Sequence, residues 1–357
     1  MNIFKTLFLG TCLLTACSQS NQLNDCTSIK INNTQYENWS SFFNIEEIVP
    51  LEQTDKSLVT MASKCSVNDG MVFLSDFRLK SLFVFGLDGK FKFEVGKSGK
   101  AANEHVVLED FYYNGKKKTV TILDERGLAV YHSNNGEFIK REKLSDTQRM
   151  EFSKFLDVND GERLLYSTVG KYSISKQVKD GSIEGLRERK GYQMVTERFF
   201  KSENDVLVMP DYGFFTLDTY RNGQLFPKYV LDFGNQSLPS KYIGEKYDDF
   251  SKTDAMKDYF KSVIEAKENN QWLYVLVVGP KQTYYNVFYN KETGKIYAGP
   301  CDQSLGLNIV DMDNDTIYGL IYLDFIEKKS PFYKYVEKFK ATGFGNPLLV
   351  KMKINEK

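Results

Sequence analysis

Short apolar stretches, each preceded by a polar turn, recur along the chain at a nearly constant spacing. The tetrapeptide Val-Asn-Asp-Gly occurs at 67–70 and again at 158–161, each time just before an apolar stretch. If asparagine is accepted in place of the glycine, six such turns appear, separated by 45, 46, 43, 66 and 44 residues. The six turn residues are Gly70, Gly115, Gly161, Asn204, Asn270 and Asn314. The pattern therefore predicts six copies of one structural unit.

A second turn follows 19 to 24 residues after the first in five of the six units. Asn-Gly and Asp-Gly between apolar runs are strong hairpin signals, because both central positions accept a positive φ. Each unit therefore contains two hairpins and four strands, which we place in the first unit at 59–65, 71–76, 81–86 and 91–96. Four antiparallel strands repeated six times predict an all-β fold, a six-bladed β-propeller. A helical array of the same period does not fit, since the apolar positions alternate at period two.

The two ends of the repeat predict how the ring closes. The sixth unit has strands near 307–311 and 315–323 and a third at 348–354, but it lacks an obvious fourth strand. Residues 44–52 precede the first unit and have no partner there. We predict that 44–52 forms the outermost strand of the last blade and pairs with 347–354, which removes an open sheet edge.

The long gap in the repeat indicates an insertion at about 238–260. Ser251 or Thr253 would cap a short helix in this insertion. Long loops in compact domains are often functional, so the insertion would be either a lid over the mouth of the ring or a decoration that covers an edge.

The first residues have the pattern of an export signal. In residues 1–16, Lys5 precedes an apolar run that is too short to span a bilayer. Leu14-Thr15-Ala16-Cys17 resembles the bacterial lipobox, which implies cleavage before Cys17 and acylation of its thiol. The alternative is an ordinary signal peptide followed by an incidental cysteine.

The remaining chain is expected to divide into a tether and one domain. Residues 17–42 are rich in Ser, Asn, Gln and Thr, which is typical of a linker, and we predict that they form a lipidated tether. We predict that residues 43–357 form the propeller. The longest later apolar run, 272–278, suits a buried strand and is far too short to cross a membrane. We therefore expect an outer-membrane lipoprotein of the cell envelope, held by its acyl chains.

The charge of the chain limits the kinds of partner that we expect, and its cysteine content argues against a disulfide framework. Lys plus Arg and Asp plus Glu both number 47, and the only notable basic run is 116–118, so nucleic acid is not expected as a partner. Cys26, Cys65 and Cys301 are too few and too scattered for a disulfide framework. We predict no bridge between Cys65 and Cys301, which the strand order places toward opposite faces of the ring.

One stretch of the first unit carries a family resemblance. From Leu74 to Phe91 an apolar residue and Asp are followed by Val-Phe and Asp-Gly-Lys-Phe, which resembles NHL-like six-bladed propellers. The lipobox, the start at 49–52 and the end at 346–350 resemble six-bladed propeller lipoproteins of gram-negative gut anaerobes. This resemblance covers about residues 44–354 and implies the fold, without a settled activity. Such proteins often carry a Gly-Arg-x-Gly-x-Gly-Pro-x-Glu-Tyr loop, of which 96–105 keeps two glycines and Glu104 but lacks the Gly-Pro and the Tyr.

The strand order predicts two different faces of the ring. Turns between first and second strands, and between third and fourth strands, lie on what we call the hairpin face. Loops between second and third strands, and crossings between blades, lie on the opposite, loop-rich face, where binding residues tend to concentrate. The candidate ligand-binding residues on this face are Asp76, Arg78, Glu104, His105, Asp124, Arg126, Asp211 and Tyr212.

These candidates have two interpretations. Acidic and basic groups that alternate around the mouth would bind an anionic or sugar-like ligand, for which the rigid fork of Arg is well suited. Alternatively, each Asp caps its own turn, and Arg78 and Arg126 only pair with neighbouring acids on an exposed rim.

Catalytic motifs are scarce. There are two histidines, His105 and His132, and neither an HExxH nor a Gly-x-Ser-x-Gly sequence. We expect a binding or scaffold module without a cofactor, which takes a carbohydrate, peptide or protein partner at the loop-rich face. The alternative is a propeller-type hydrolase or lyase with a carboxylate site, with or without Ca²⁺, in the central funnel. The sequence does not place carboxylates of different blades relative to one another, so both hypotheses stay open.

Overall fold

The computed structural model describes most of the chain as a ring of six antiparallel sheets. The first elements of the described residues are β1 (Thr27–Lys30), the short helix α1 (Trp39–Phe42) and β2 (Phe43–Pro50). The described residues are 26–31, 36–143, 151–159, 161–192, 194, 196–202, 205–243, 256–302, 305–330, 332–340 and 345–355.

The first three blades follow one another along the chain. Blade 1 has β3 (Ala62–Asn68), β4 (Met71–Asp76), β5 (Ser81–Gly86) and β6 (Phe91–Glu94). Blade 2 has β7 (Asp110–Asn114), β8 (Thr119–Asp124), β9 (Gly127–His132) and β10 (Phe138–Glu142). Blade 3 has β11 (Phe152–Asn159), β12 (Glu162–Ser167), β13 (Tyr172–Gln177) and β14 (Ile183–Glu188).

The last three blades complete the ring. Blade 4 has β15 (Phe199–Lys201), β16 (Val206–Val208), β17 (Thr216–Arg221) and β18 (Gln224–Asp232). Blade 5 has β19 (Ser262–Glu268), β20 (Trp272–Val278), β21 (Tyr284–Asn290) and β22 (Ile296–Pro300). Blade 6 has β23 (Leu307–Asp313), β24 (Thr316–Ile321), the helix α2 (Tyr333–Lys340) and β25 (Leu348–Ile354). The prediction of a six-bladed propeller with four-stranded antiparallel blades is confirmed.

The ring closes with a strand from the other end of the chain. Strand β2 pairs antiparallel with β25, from Phe43 opposite Ile354 to Pro50 opposite Leu348, and is the outermost strand of blade 6. The predicted closure by residues 44–52 is therefore confirmed. The pairing buries Val49 and Leu349, so closure removes apolar surface as well as an open edge.

The second strand of each blade is buried on both of its faces, because every blade packs between two neighbours. In β4, Leu74 faces blade 6 and contacts a cluster containing Leu320, while Phe73 faces blade 2 and joins a cluster with Phe111. When a strand is covered on both sides, nearly all of its residues are apolar, and apolar and polar residues do not alternate along it. This explains why residues 272–278, in β20, are almost entirely apolar.

Part of the segment 17–42, which the sequence assigns to the tether, lies against the ring. Strand β1 pairs in parallel with β18, and Ile29 is fully buried there. Further on, Trp39 and Phe42 are 1% exposed, and the Trp39 indole nitrogen donates to the Pro300 carbonyl at 2.6 Å. The described part of this segment therefore wraps the rim of blades 4 to 6, because its few aromatic residues need burial.

Residues 251–255, the first half of the predicted helix of the insertion, lie outside the described part of the chain, whereas 256–260 form a turn that ends in a β-bridge between Phe260 and Ser237. The described part of the insertion contains the 3₁₀ turn Ser240–Tyr242, and a second 3₁₀ turn, Gly234–Gln236, lies just before it. Helix α2, in contrast, has no counterpart in the predicted pattern, and it covers the ring through the fully buried Val336. None of the helices in the described ranges is long and apolar enough to cross a membrane.

Candidate functional site: the central channel

The six innermost strands surround a central cavity with a volume of about 1990 Å³. At the hairpin face the cavity is lined by first-to-second turns, including Asn68, Asn114 and Asn314. At the loop-rich face its lining includes Tyr284 and Phe325. The cavity therefore runs along the ring axis from one face to the other, and its size suits a small-molecule or short polymeric ligand.

Four charged side chains from blades 1 to 4 form a closed ion-pair cluster in this channel, which we call the channel charge cluster. The ammonium group of Lys64 lies 2.7 Å from an Asp110 oxygen and 3.2 Å from a Glu197 oxygen. The ammonium group of Lys154 lies 3.0 Å from the other Glu197 oxygen and 3.8 Å from Asp110. Positive and negative groups thus alternate, and each group has two partners of opposite sign.

These side chains also satisfy backbone groups along the channel. An innermost strand has one edge without a partner strand, so its backbone N–H and C=O groups need other partners. Asp110 accepts a hydrogen bond from the Phe155 amide of blade 3 at 3.1 Å, and Lys64 donates to the Phe111 carbonyl of blade 2 at 3.0 Å. Asp311 of blade 6 accepts from the Val67 amide of blade 1 at 2.6 Å. Charged side chains therefore join the inner strands of neighbouring blades.

The two lysines and Glu197 of the channel charge cluster are charged at neutral pH. Burial by itself lowers the pKa of Lys64 and Lys154, but the nearby carboxylates of Asp110 and Glu197 more than offset it, and both lysine pKa values are raised. Burial raises the pKa of Glu197, yet the two lysines outweigh this and lower it to about 2. Asp311 differs, because burial outweighs its backbone hydrogen bonds and raises its pKa to about 6.

The blade 5 side of the channel carries further polar groups. Lys267 pairs with Glu265 of the same strand at 2.5 Å, and the Tyr274 hydroxyl donates to Asn286 at 3.3 Å. Cys301 is a free thiol, and burial followed by the charge of Glu265 raises its pKa to about 12. It is therefore a protonated, weak nucleophile at neutral pH. The channel offers charges of both signs, amides, hydroxyls and aromatic rings, which suit a polar ligand.

Asp76, a predicted site residue, organises two loops of the loop-rich face. Its carboxylate is fully buried and accepts hydrogen bonds from the amides of Thr60, Met61 and Leu79 at 2.5, 2.8 and 2.9 Å. This agrees with the alternative interpretation, in which the Asp caps its turn. Arg78, two residues later, is exposed.

Four of the predicted residues come together under the loop 96–105. Asp124 is 1% exposed and pairs with Arg126 at 3.1 Å and with Arg141 at 2.9 Å. Arg126 also donates to the carbonyls of Lys100, Ala101 and Glu104, while the Glu104 carboxylate accepts from the Ala101 amide. The Arg126 bonds tie the loop to blade 2, and the Glu104–Ala101 bond lies within the loop, so the cluster is satisfied by its own members.

His105 belongs to the same loop and is fully buried. Its Nε2 lies 2.6 Å from the Lys80 carbonyl, and burial lowers its pKa despite that hydrogen bond. The imidazole is therefore neutral at pH 7, with the Nε2–H as the donor.

Asp211 and Tyr212 lie apart from the others, on blade 4. Asp211 accepts from the Ser173 hydroxyl at 3.0 Å, and the ring of Tyr212 packs in a small apolar cluster with Leu238 and Met256. The structure thus gathers Glu104, His105, Asp124 and Arg126, and separates them from Asp76, Arg78, Asp211 and Tyr212. None of the eight is among the residues that line the channel cavity, and ligand binding by this set stays a prediction.

Sequence reasoning missed the channel charge cluster. A signal was present, since Lys64, Asp110, Lys154 and Glu197 are charged residues in or just before the first strand of four successive units. What the sequence lacks is the register between blades, which decides whether these groups meet.

A Ca²⁺ site in the funnel does not fit the described residues. Across the described ranges, no three His, Cys, Asp or Glu side chains are grouped to hold a metal ion. Asp110 and Glu197 both face lysine ammonium groups, and a cation would have to compete with these fixed positive charges.

The fold and the channel define the class of protein, a six-bladed β-propeller with a polar axial cavity. Within this class the chain belongs to the family described as "Domain of unknown function (DUF4934)", whose sequence profile matches residues 26–344. The match begins one residue before β1, in agreement with the packing of that strand on the ring.

Solved structures with a similar fold include two from Bacteroides species. A Bacteroides fragilis NCTC 9343 protein named "Putative exported protein" has a TM-score of 0.76 and 16% identity, over 92% of this chain and 100% of its own. A member of the DUF4221 family from Bacteroides vulgatus ATCC 8482 has a TM-score of 0.59 and 10% identity, over 88% of this chain and 98% of its own. No curated protein matches the sequence. At these identities the likeness shows the fold alone.

Proposed function

We propose that this protein is a lipoprotein of the bacterial outer membrane, anchored through Cys17, that binds a polar ligand such as a carbohydrate or peptide in its central channel. The observation that carries the ligand proposal is the cavity of about 1990 Å³ with its channel charge cluster. Both signs of charge, amides and hydroxyls line one continuous space, so a ligand with hydroxyl groups or charges of both signs finds partners there.

The anchor is supported by the lipobox-like sequence at 14–17 and by the short polar stretch that follows it. The name of the similar B. fragilis structure, which refers to export, agrees with this location. A growth experiment with a labelled fatty acid tests the anchor. We expect label on the wild type and none on Cys17→Ser, and an unlabelled wild type would contradict the lipoprotein assignment.

Binding in the channel is tested by isothermal titration of the protein with a panel of oligosaccharides and peptides. The double variant Lys154→Gln/Asp110→Asn removes one charge of each sign from the cluster and replaces each side chain by a polar amide. We expect it to weaken binding by roughly tenfold or more, because hydrogen bonds to charged groups are the stronger ones.

The matched control is Lys351→Gln/Glu47→Gln, which removes an ion pair of 2.5 Å on the outer strands of blade 6. This pair lies far from the channel in the sheet order, so binding should be unchanged. Equal affinities for the two double variants, or no binding by any member of the panel, would count against the channel site.

A further inference from the structure

The loop-rich face carries most of the exposed apolar side chains of the protein. Within the part of the chain that the structure describes, nine large hydrophobic side chains are exposed, and eight of them lie on or beside connections of this face. The ninth, Ile139, lies on β10, the outermost strand of blade 2. The eight residues are Leu58, Met61, Phe77, Leu79, Val169, Tyr284, Phe325 and Tyr335.

Seven of the eight lie on three neighbouring blades of the ring, and we call this set the apolar arc. It runs over blades 5, 6 and 1 and excludes only Val169, which is on blade 3. Phe325 and Phe77 are its most prominent members, with 71% and 66% of their surface exposed. Single exposed apolar residues are common, but their concentration on one end of a ring indicates an interaction surface.

Hydrogen bonds fix the turns that carry the apolar arc. The Phe77 amide donates to the Met61 carbonyl at 3.0 Å, and the buried Asp76 carboxylate fixes the backbone of Met61 and Leu79. The Phe325 amide donates to the Tyr322 carbonyl at 3.1 Å. The side chains are thus displayed on ordered turns, and nothing in the described fold covers them.

The same connections carry an excess of positive charge. Residues 51–61, 77–80, 279–284 and 322–347 contain nine basic and five acidic residues, whereas the protein as a whole has a net charge of zero. Arg78, Lys80, Lys281, Lys328 and Lys329 are exposed beside the arc. Aromatic and aliphatic tips next to lysine and arginine are typical of surfaces that enter the interface of an anionic bilayer.

We propose that the loop-rich face docks onto an anionic lipid bilayer through the apolar arc, with Phe77 and Phe325 inserted at the level of the headgroups. The proposal adds to the lipid anchor proposed above, from which it takes one argument. Cys26, at the start of the described chain, lies nine positions after Cys17, and this stretch spans at most about 30 Å. An acylated Cys17 would therefore hold the ring within reach of the bilayer.

This orientation decides how a ligand reaches the channel. With the loop-rich mouth against the bilayer, the channel is open to water at the hairpin face, beside Asn68, Asn114 and Asn314. The Asp-Gly and Asn-containing turns would then form the aqueous mouth of the channel.

The test uses residues 18–357, which retain every described strand of the closed ring and lack the acylated cysteine. Flotation with vesicles measures binding to phosphatidylcholine alone and to a mixture with phosphatidylglycerol. We expect binding to the anionic vesicles, weakened by salt, and a roughly tenfold or greater loss in Phe77→Ser/Phe325→Ser. Ile139→Ser, the matched control, should bind like the parent, because Ile139 lies on the outermost strand of blade 2.

The parent and both variants should unfold at the same temperature, since the substituted side chains are exposed. Absence of binding to anionic vesicles, equal binding to neutral ones, or unchanged binding by Phe77→Ser/Phe325→Ser would overturn the proposal. It is also overturned if the parent forms dimers without lipid that Phe77→Ser/Phe325→Ser abolishes, because the arc is then an interface between copies. None of these results depends on acylation, which the labelled fatty acid tests separately.

Discussion

Carboxylates of the channel and the loops in this propeller have surroundings that give them different roles. Asp76 accepts backbone amides and shapes a loop, Asp124 neutralises two arginines, and Glu197 is held between two lysines. Asp311 has backbone and hydroxyl donors but no ion-pair partner among the described contacts, and burial raises its pKa to about 6. The role of each carboxylate therefore depends on which hydrogen-bond donors and positive charges the neighbouring strands and loops place beside it.

The low pKa of Glu197 predicts a loss of stability in acid. Its folded pKa of about 2 lies below its ordinary value of 4.5, so its stabilising contribution is complete above pH 4.5 and is lost as the pH falls toward 2. We expect Glu197→Gln to cost about 1–3 kcal/mol of unfolding free energy at pH 7, and less at each step below pH 4.5. Urea unfolding of both proteins from pH 7 to pH 2 measures this, with Glu47→Gln as the exposed control. Parallel curves for wild type and Glu197→Gln would contradict the assignment.

The two predicted site arginines should differ in their effect on stability. Arg126 bonds to Asp124 and to several loop carbonyls, so Arg126→Ala leaves a buried carboxylate with one partner fewer and should cost about 2–4 kcal/mol. Arg78 is exposed, and Arg78→Ala should change stability by about 0.5 kcal/mol or less. Denaturant unfolding of the two single variants decides the matter, and similar losses would show that the loop 96–105 does not depend on Arg126.

At the scale of elements, the turns between third and fourth strands also position neighbouring blades. Gly89 has a φ of +79°, and a Cβ added there would clash with the Pro50 carbonyl at the end of β2. Gly181 occupies the equivalent turn of blade 3 with a φ of +87°, and an added Cβ there meets nothing within 4 Å. The first turn thus touches the closing strand, whereas the second is open.

This difference predicts unequal costs for the same substitution. Both glycine-to-alanine changes place alanine at a positive φ, which costs about 1–2 kcal/mol. Gly89→Ala should cost about 2 kcal/mol more than Gly181→Ala, because β2 would have to shift. Thermal and urea unfolding measure the loss of stability in each variant. Equal losses of unfolding free energy would mean that β2 can shift at this contact without a cost.

The elements that could be predicted from the sequence are those with a local signal. The hairpin turns and the doubly covered second strands leave a clear pattern, and β2 could be assigned because residues 44–52 had no other partner. Strand β1 and helix α1 could not be predicted from the sequence. Ile29 and Trp39 lie in a polar segment and become buried only against blades 4 to 6. Helix α2 was also not predicted, because its apolar face of Tyr333, Val336 and Phe339 spans only eight residues and lies within a connection between strands.

The candidate site was harder to predict than the fold. The two-face description correctly located variable loops, but the side chains gathered there, such as Asp124 and Arg126, bond mainly to their own loops. The channel charge cluster requires Lys64, Asp110, Lys154 and Glu197 to meet across three blade junctions. Strand spacing along the chain does not determine that register.

At the scale of the whole molecule, the ring depends on its last strand. Removing residues 345–357 deletes β25, which lies between β24 and β2, so blade 6 loses its third strand and the contact to its fourth. We expect loss of cooperative unfolding and of soluble protein. Removing residues 18–25, which precede the first described residue, should leave both unchanged. Circular dichroism during heating compares the two truncations, and a cooperative transition without β25 would show that five blades suffice.

The pairing of β2 with β25 has a consequence for how the protein comes into being. A ribosome makes residues 43–50 about three hundred residues before their partner, so through most of synthesis the first part of the future rim is an unpaired strand. The ring can close only when residues 348–354 have been made. A chain that stops before them would keep an exposed edge, which proteases and chaperones recognise, whereas a chain that contains β25 hides it. Pairing of β2 with β25 thereby distinguishes chains with a complete sixth blade from chains without one.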